Sequence, residues 1–344
     1  MRKKIMSGPR MLPRKILVIN VARFGDTLLI TPVLKALKEH WPMATLDVFA
    51  HKKTASIIEN LPWVNQITPF SKKKAMWLKY FSPKQYDLAL VYGNDDALVD
   101  YARRVSTLTV SFSNNPGNDA WCTVAPPKQL IPAQQERALL AQAVGVNITD
   151  WHLAYCVTEQ ERNFAHRFLT RHNLQNKRLV GFQLQSFPAK AYRDWPVSSF
   201  KAIAYRLLEH YPESHILLLG GVDGKSTADA LASELGSRVT SFAGVLSMRQ
   251  NAAVMSHLSL YLGVDTGPTH LAGALGIPMV AMYHAFHPGR YLAPQQHAEL
   301  IVIEHPVKYA DASREEPMSK IDVDTVWNAV NTLLSKCPEI KVSE

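Results

Sequence analysis

Three stretches of this 344-residue chain bring together residue types that can do chemistry. In Val21-Ala22-Arg23-Phe24-Gly25-Asp26-Thr27, a carboxylate follows a turn-forming glycine directly after an apolar run. Asp26 there can take a proton from a hydroxyl nucleophile, or can simply cap the helix that follows. In residues 184–196, Ser186, Lys190 and Arg193 supply a hydroxyl donor and two cations, and Trp195-Pro196 fixes the exit of the loop. Those cations can neutralise a diphosphate leaving group through charge-assisted hydrogen bonds, or can be ordinary solvated side chains. The third stretch, Gly263-Val264-Asp265-Thr266-Gly267-Pro268-Thr269-His270-Leu271-Ala272, reads as a buried strand running into a helix through a glycine-bearing turn. Gly267 lets the backbone approach a ligand, and the first amides of a helix starting near Pro268 favour an anion, above all phosphate. His270, one turn in, is within reach of a phosphate or is a capping or core histidine. Asp265 either orients Thr266 and Gly267 or accepts from a ribose or sugar hydroxyl.

These stretches are positioned by a regular alternation of strands and helices. In the first half, strands are expected at 15–21, 45–50, 66–70 and 87–92, with one helix running from Asp26 to about His40 and a short one over 54–60. The second half restarts the rhythm, with strands at 179–183, 215–219, 239–242, 258–262 and 279–283 and helices at 197–209, 227–235 and 247–255. Between the halves, Thr158-Glu159-Gln160-Glu161 has the form of a capping box. Strands and helices alternating in this way indicate parallel sheets covered on both faces, and ligands of such sheets bind beyond the carboxyl ends of the strands. At this length two domains of roughly 150 residues are expected. We divide the chain into a basic mobile lead-in (1–14), a Rossmann-like domain (15–160), a second Rossmann-like domain (177–320) and a C-terminal helix (321–336) that returns to the first domain.

Composition limits the function classes. An apolar share of 47% excludes a largely disordered chain. Cys122, Cys156 and Cys337 are too few and too far apart for a disulfide framework or a zinc site, which fits a reducing cytoplasm. The basic amino terminus before Ile16-Leu17-Val18-Ile19 imitates a signal peptide, but Arg23 and Asp26 interrupt the apolar run too early. No run reaches the roughly 18 apolar residues of a membrane span, so the chain is expected to be soluble or peripherally membrane-bound. The net charge of +9 is unevenly placed: residues 1–150 hold 20 Lys+Arg against 11 Asp+Glu, whereas residues 151–344 hold 18 of each. The first half therefore attracts anionic surfaces, and charge alone does not choose among nucleic acid, acidic lipid and phosphorylated sugar.

Two further segments carry competing readings. Ser71-Lys72-Lys73-Lys74-Ala75-Met76-Trp77-Leu78-Lys79-Tyr80-Phe81 has the basic and aromatic residues of an interfacial helix, or is a solvated helix whose Trp77 packs on its own domain. Asn94-Asp95-Asp96 resembles a carboxylate cluster for a divalent metal but has no further ligands near it. The turn at Gly25 lacks the G-x-G-x-x-G spacing, which weakens an oxidoreductase reading. Basic residues scattered over an α/β pattern, without a binding module, weaken a nucleic-acid reading.

Taken in order, Arg23-Phe24-Gly25-Asp26-Thr27-Leu28, Arg193-Asp194-Trp195-Pro196 and Val264 to Ala272 resemble the motifs of the glycosyltransferase family 9 heptosyltransferases, over about residues 15–335. These build the inner core of lipopolysaccharide in Gram-negative bacteria. The resemblance implies a GT-B fold, with two Rossmann-like doubly wound domains facing across a cleft, the acceptor on the first and the nucleotide sugar on the second. It implies an inverting transfer from ADP-L-glycero-D-manno-heptose that needs no metal and no cofactor. Asp26 matches the general base. Arg193 stands in the place of the basic residue before Trp-Pro that holds the diphosphate, with Lys190 beside it, and Ser186 in that of a nearby hydroxyl donor. Asp265, Thr266, Gly267 and His270 match the donor-binding motif. The expected partners are the nucleotide sugar, the lipopolysaccharide core on lipid A, and the anionic cytoplasmic face of the inner membrane, met by Lys72, Lys73, Lys74 and Trp77; no nucleic acid is expected. Several members carry an acidic residue near the donor nucleoside, where this chain offers only Asp223. Another nucleotide sugar, or a protein acceptor, is the alternative.

Overall fold

The computed structural model describes residues 12–113 and 121–336; most of the expected basic lead-in, and Cys337, lie outside them. The chain divides into two compact units, Met1–Cys156 and Val157–Glu344.

The first unit contains β1 (Lys15–Asn20), α1 (Phe24–Leu28), α2 (Thr31–His40), β2 (Thr45–His51), β3 (Gln66–Phe70), α3 (Lys72–Leu78), β4 (Tyr86–Tyr92), α4 (Asp96–Val105), β5 (Ser106–Phe112), β6 (Trp121–Val124) and α5 (Ala133–Gln142). Its six strands are parallel, in the order β3-β2-β1-β4-β5-β6. Ile16, Leu17, Val18 and Ile19 are all buried, as a central strand covered on both faces requires. The single helix expected from Asp26 to His40 is two. In a continuous helix the amide of residue 32 would bond the Leu28 carbonyl, but Pro32 has no N–H, and the Thr31 hydroxyl donates there instead (2.7 Å). The short helix expected over 54–60 is a 3-10 turn, Ala55–Ile57. Helix α4, strands β5 and β6, and an edge strand in the second unit go beyond the expected elements. The segment after α5 is tied back to α2: Lys35 bonds Asp150 (2.5 Å) and the Ala154 amide donates to Thr31 (3.0 Å).

The second unit contains α6 (Glu159–Arg171), β7 (Arg178–Gln183), α7 (Val197–His210), β8 (Ser214–Leu219), α8 (Lys225–Leu235), β9 (Val239–Ser241), α9 (Met248–Met255), β10 (Leu260–Val264), α10 (Gly267–Ala274), β11 (Met279–Tyr283), α11 (Gly289–Leu292), β12 (Leu300–Glu304) and α12 (Val323–Leu334). The capping box forms: the Glu161 amide donates to the Thr158 hydroxyl and the Thr158 amide to the Glu161 carboxylate. That carboxylate also accepts two bonds from Arg249 on α9 (2.6 and 2.7 Å), which holds its pKa down at about 2. The strand order is β12-β11-β10-β7-β8-β9, again all parallel. Numbered from each unit's own first strand, both sheets read 3-2-1-4-5-6. The order reverses between β1 and β4 in one and between β7 and β10 in the other, and these switch points are where such sheets bind ligands.

Helix α12, expected from its sequence pattern to return to the first domain, forms part of the core of the second unit. Val326, Val330, Leu333 and Leu334 are buried in the core of the second unit, beside Trp195 and strands β10 and β11. Its amphipathic stripe matches the nearest uncovered sheet face. Among the described residues, no helix is long and apolar enough to cross a membrane.

Candidate functional site

The second switch point gathers the loop after β7 and the start of α10. Trp195 anchors the loop: its side chain is buried to 1% exposure and its Nε1–H donates to the Ile321 carbonyl (3.0 Å). The turn closes on itself, with the Ser186 amide donating to Asp194 (2.7 Å) and the Ser186 hydroxyl to the Lys190 carbonyl (2.8 Å). Burial pushes the Asp194 carboxyl up. The hydroxyl proton expected to serve a diphosphate is thus committed within the loop, leaving the oxygen lone pairs for other contacts. Held this way, the 3-10 turn Pro188–Arg193 presents Lys190 and Arg193, whose cations lie 5.8 and 5.5 Å from the Tyr192 ring centroid.

Arg193 reaches across to the end of β10, where its Nη1 donates to Asp265. Both are largely buried, at 15% and 6% side-chain exposure. Asp265 therefore serves first as the counter-charge of Arg193, a role that the sequence reading did not give it. Below it, Tyr261 lies along the strand over Gly263, where any Cβ would meet the phenol oxygen at 2.6 Å. The buried Thr269 hydroxyl donates to the Val264 carbonyl and accepts from Tyr261 (3.1 Å), locking the first turn of α10 to the strand. Thr266 is the N-cap residue but makes no side-chain cap bond. Pro268 has no N–H and the Thr269 amide turns back to the Thr266 carbonyl (3.2 Å), so these two positions add no free amide to the anion cradle expected at this helix start, to which Gly267 can contribute. His270 is buried, at 6% exposure. Asp223, in the 3-10 turn Val222–Gly224 after β8, is exposed.

Sequence reading missed the histidines behind this loop. His287 lies 2.7 Å from the Tyr192 hydroxyl, and burial together with Arg193, Lys190, His284 and Arg314 pulls its pKa down to about 4. His284, fully buried at the end of β11, accepts from the Phe286 amide on Nδ1 (3.0 Å) and donates from Nε2 to the Glu316 carbonyl (2.8 Å). Burial lowers its pKa too, which suits this neutral form. Their one shared signal in the sequence was position just after a strand.

In the first unit, Asp26 is the third residue of α1; the N-cap position belongs to Arg23, so the capping reading is corrected. Asp26 lines a cavity of about 280 Å³ at the β1/β4 switch point, with Asn20, Ala22, Tyr92, Asn94 and Arg137. Arg137, on α5, donates to Asp26 (3.1 Å) and to Glu136 (3.0 Å). Asn20 is 1% exposed and its buried Nδ2 has no hydrogen-bond partner among the described residues, so the wall of this cavity carries a polar group open to a ligand or water. Arg137 gave no local signal.

The basic segment forms α3, capped by Ser71, which accepts from the Lys74 amide (3.3 Å). Trp77 does not pack on the body of its domain: it is 65% exposed, and its ring neighbour is Phe81 (5.2 Å), itself 69% exposed. Lys72 pairs with Asp95 (2.8 Å), which caps α4 by accepting from the Ala97 amide (3.0 Å).

Two Rossmann-like units, each with polar side chains at its switch point and the second with a largely buried cation beside a helix start, are the parts of a GT-B glycosyltransferase. The chain belongs to glycosyltransferase family 9 (heptosyltransferase), whose model matches residues 119–322. It is similar to the lipopolysaccharide heptosyltransferase 3 of Escherichia coli, 24% identical over 76% of this chain and 81% of that one. Among solved structures, a family 9 glycosyl transferase from Veillonella parvula DSM 2008 superposes with a TM-score of 0.82 at 20% identity, covering 94% of this chain and 98% of the other. The E. coli ADP-heptose lps heptosyltransferase II does so with a TM-score of 0.74 at 19% identity, covering 94% and 99%.

Proposed function

We propose that this enzyme is an inverting heptosyltransferase that moves heptose from ADP-L-glycero-D-manno-heptose to the inner core of lipopolysaccharide in a Gram-negative bacterium. The observation that carries the reading is the Arg193–Asp265 pair at the second switch point, a largely buried cation fixed beside the Gly267 amide. Both groups suit the charge that grows on a departing diphosphate. Family membership and the likeness to an ADP-heptose lps heptosyltransferase support heptose as the sugar.

On this reading Asp26 takes the proton of an acceptor sugar hydroxyl while that oxygen attacks the anomeric carbon from the face opposite the diphosphate. The new bond to oxygen forms as the bond to the phosphate oxygen breaks, ADP leaves with the electron pair, and the centre inverts. Arg193, Lys190 and the Gly267 amide balance the leaving charge, so the step calls on no metal and no cofactor. Ser186, Thr266 and His270 bind around the donor. Arg137 and Asn20 face the acceptor beside Asp26.

The surplus positive charge of residues 1–150 suits an acceptor that is phosphorylated and carboxylated. Exposed Trp77, Tyr80 and Phe81 beside Lys72, Lys73 and Lys74 suit a peripheral contact with the anionic cytoplasmic face of the inner membrane. The test is incubation with ADP-heptose and a series of core-truncated lipopolysaccharides in the presence of EDTA. One heptose of added mass, at an inverted linkage, is expected. No added mass with any acceptor in the series, or transfer abolished by EDTA, overturns the corresponding part of the reading.

A further inference from the structure

A line of hydrogen bonds runs behind Arg193. Its Nε–H points at the Tyr192 hydroxyl (3.3 Å), and that hydroxyl lies 2.7 Å from His287 Nε2. A guanidinium has no acceptor atom and does not give up its proton, so the Tyr192 oxygen must accept on the Arg193 side. Its own proton is then directed to His287, at the ordinary length of a strong hydroxyl hydrogen bond. The arrangement needs a neutral imidazole with its proton on Nδ1. The surroundings provide it, because His287 is partly buried among Lys190, Arg193 and Arg314 and next to His284.

His287 is itself held in place by a tight turn. Its amide donates to the His284 carbonyl (2.8 Å), and the Glu304 carboxylate accepts the amides of Gly289 and Arg290 (2.9 and 2.8 Å). Arg193 is therefore gripped on two different nitrogens, Nη1 by Asp265 and Nε by Tyr192. Two bonds to a planar guanidinium fix its plane as well as its place, and so fix where its remaining N–H groups point.

We propose that Tyr192 and His287 are positioning residues for Arg193, with His287 orienting the Tyr192 hydroxyl and that hydroxyl fixing the plane in which the guanidinium meets a diphosphate. The proposal rests on the reading that Arg193 binds the diphosphate. Neither residue touches the donor through its polar atoms; both act through Arg193.

The experiment measures ADP binding by calorimetry, and transfer kinetics, for the full chain and for Tyr192→Phe, His287→Ala, Arg193→Ala and the Tyr192→Phe/Arg193→Ala double variant. Thermal unfolding identifies any variant that is not folded. Breaking the line at either member should weaken ADP binding by about threefold to tenfold in each of the first two. The decisive readout is coupling: in the double variant the loss should be no greater than in Arg193→Ala alone, whereas groups acting independently give additive losses. The loss in kcat should also exceed any rise in the KM for acceptor. Wild-type ADP affinity and kcat in Tyr192→Phe, or additive losses in the double variant, overturn the proposal while leaving the diphosphate reading intact. Wild-type ADP affinity in Arg193→Ala overturns the diphosphate reading itself, and this proposal with it. If Tyr192→Phe does not fold, the His287→Ala variant with its own Arg193→Ala double carries the same decision.

Discussion

Arg193 and Asp265 lie 72 positions apart in the chain and form an ion pair that joins the loop after β7 to the end of β10, the two strands on either side of the switch point. On the proposed reading, the pair keeps a cation nearly buried where the diphosphate would bind. Arg193→Met leaves the Asp265 carboxylate in the same place without its counter-charge, which costs on the order of 3 kcal/mol when a buried pair loses one partner. The urea midpoint of this variant should fall, and its kcat should fall by on the order of 10²- to 10³-fold as transition-state charge goes unbalanced. Arg193→Lys keeps the charge and loses the fork, so its kcat should lie between the two. A lysine variant indistinguishable from wild type in both measurements would remove the case for a fixed guanidinium plane.

Asp26 is separable from the donor by the same kinetic logic. Asp26→Asn preserves shape and removes the proposed base, so on that reading turnover should drop by on the order of 10²- to 10⁴-fold with ADP affinity unchanged. Arg137 sits 3.1 Å from Asp26 in the same cavity, and Arg137→Met should raise the acceptor KM while leaving ADP affinity untouched. Calorimetry with ADP and initial-rate kinetics against acceptor read both variants. Near-normal turnover in Asp26→Asn would end its assignment as the base.

The parts of the molecule legible in the sequence are those whose signal is local. Val18 to Asp26 and Leu260 to His270 announce a strand, a glycine turn and a helix within a dozen residues, so Asp26, Asp265 and Gly267 stood out at strand ends without any knowledge of the fold. Arg193 stood out through its place before Trp195-Pro196. What each of them touches was not legible. Arg137 is 111 positions from Asp26, and His287 is 95 from Tyr192, and nothing in the composition of either segment marks the pairing. The break between α1 and α2 was written in Pro32, but its weight shows only when the Leu28 carbonyl is seen to take the Thr31 hydroxyl in place of an amide. Helix α12 carried a clear amphipathic stripe, and the stripe alone did not say which sheet it would cover.

His215 makes stability fall on the acid side. Burial on β8, with Lys177 and Arg238 nearby, lowers its pKa from 6.5 to about 4, and its Nε2 lies 2.8 Å from the Thr240 hydroxyl. Between those two values the unfolded chain binds a proton that the folded chain refuses, so stability is full above pH 6.5 and is lost as pH falls towards 4. His287 shifts in the same direction. The urea midpoint should therefore fall across that window, and more gently in His215→Gln, which has no proton to take up there. An equally steep fall in the variant would show that other groups set the acid limit.

The exposed aromatic residues of α3 and the turn that follows it give the membrane reading a test independent of catalysis. Trp77, Tyr80 and Phe81 are 65–69% exposed, and Lys72, Lys73 and Lys74 precede them on the same short segment, so apolar and electrostatic contributions to binding can be removed one at a time. Liposomes containing acidic lipid should retain the protein in a sedimentation assay at low salt and release much of it as salt shortens the Debye length to roughly 8 Å near physiological strength. Replacing Lys72, Lys73 and Lys74 with Gln removes the salt-dependent part, on the order of 1 kcal/mol for each cation near the surface. Trp77→Ser should instead lower the binding that persists at high salt, since burial of apolar surface is not screened. ADP affinity should be unchanged in both, because both substitutions lie in the first unit and the proposed diphosphate site is in the second. Equal retention by acidic and neutral liposomes, with no effect of either substitution, would remove α3 from the membrane contact.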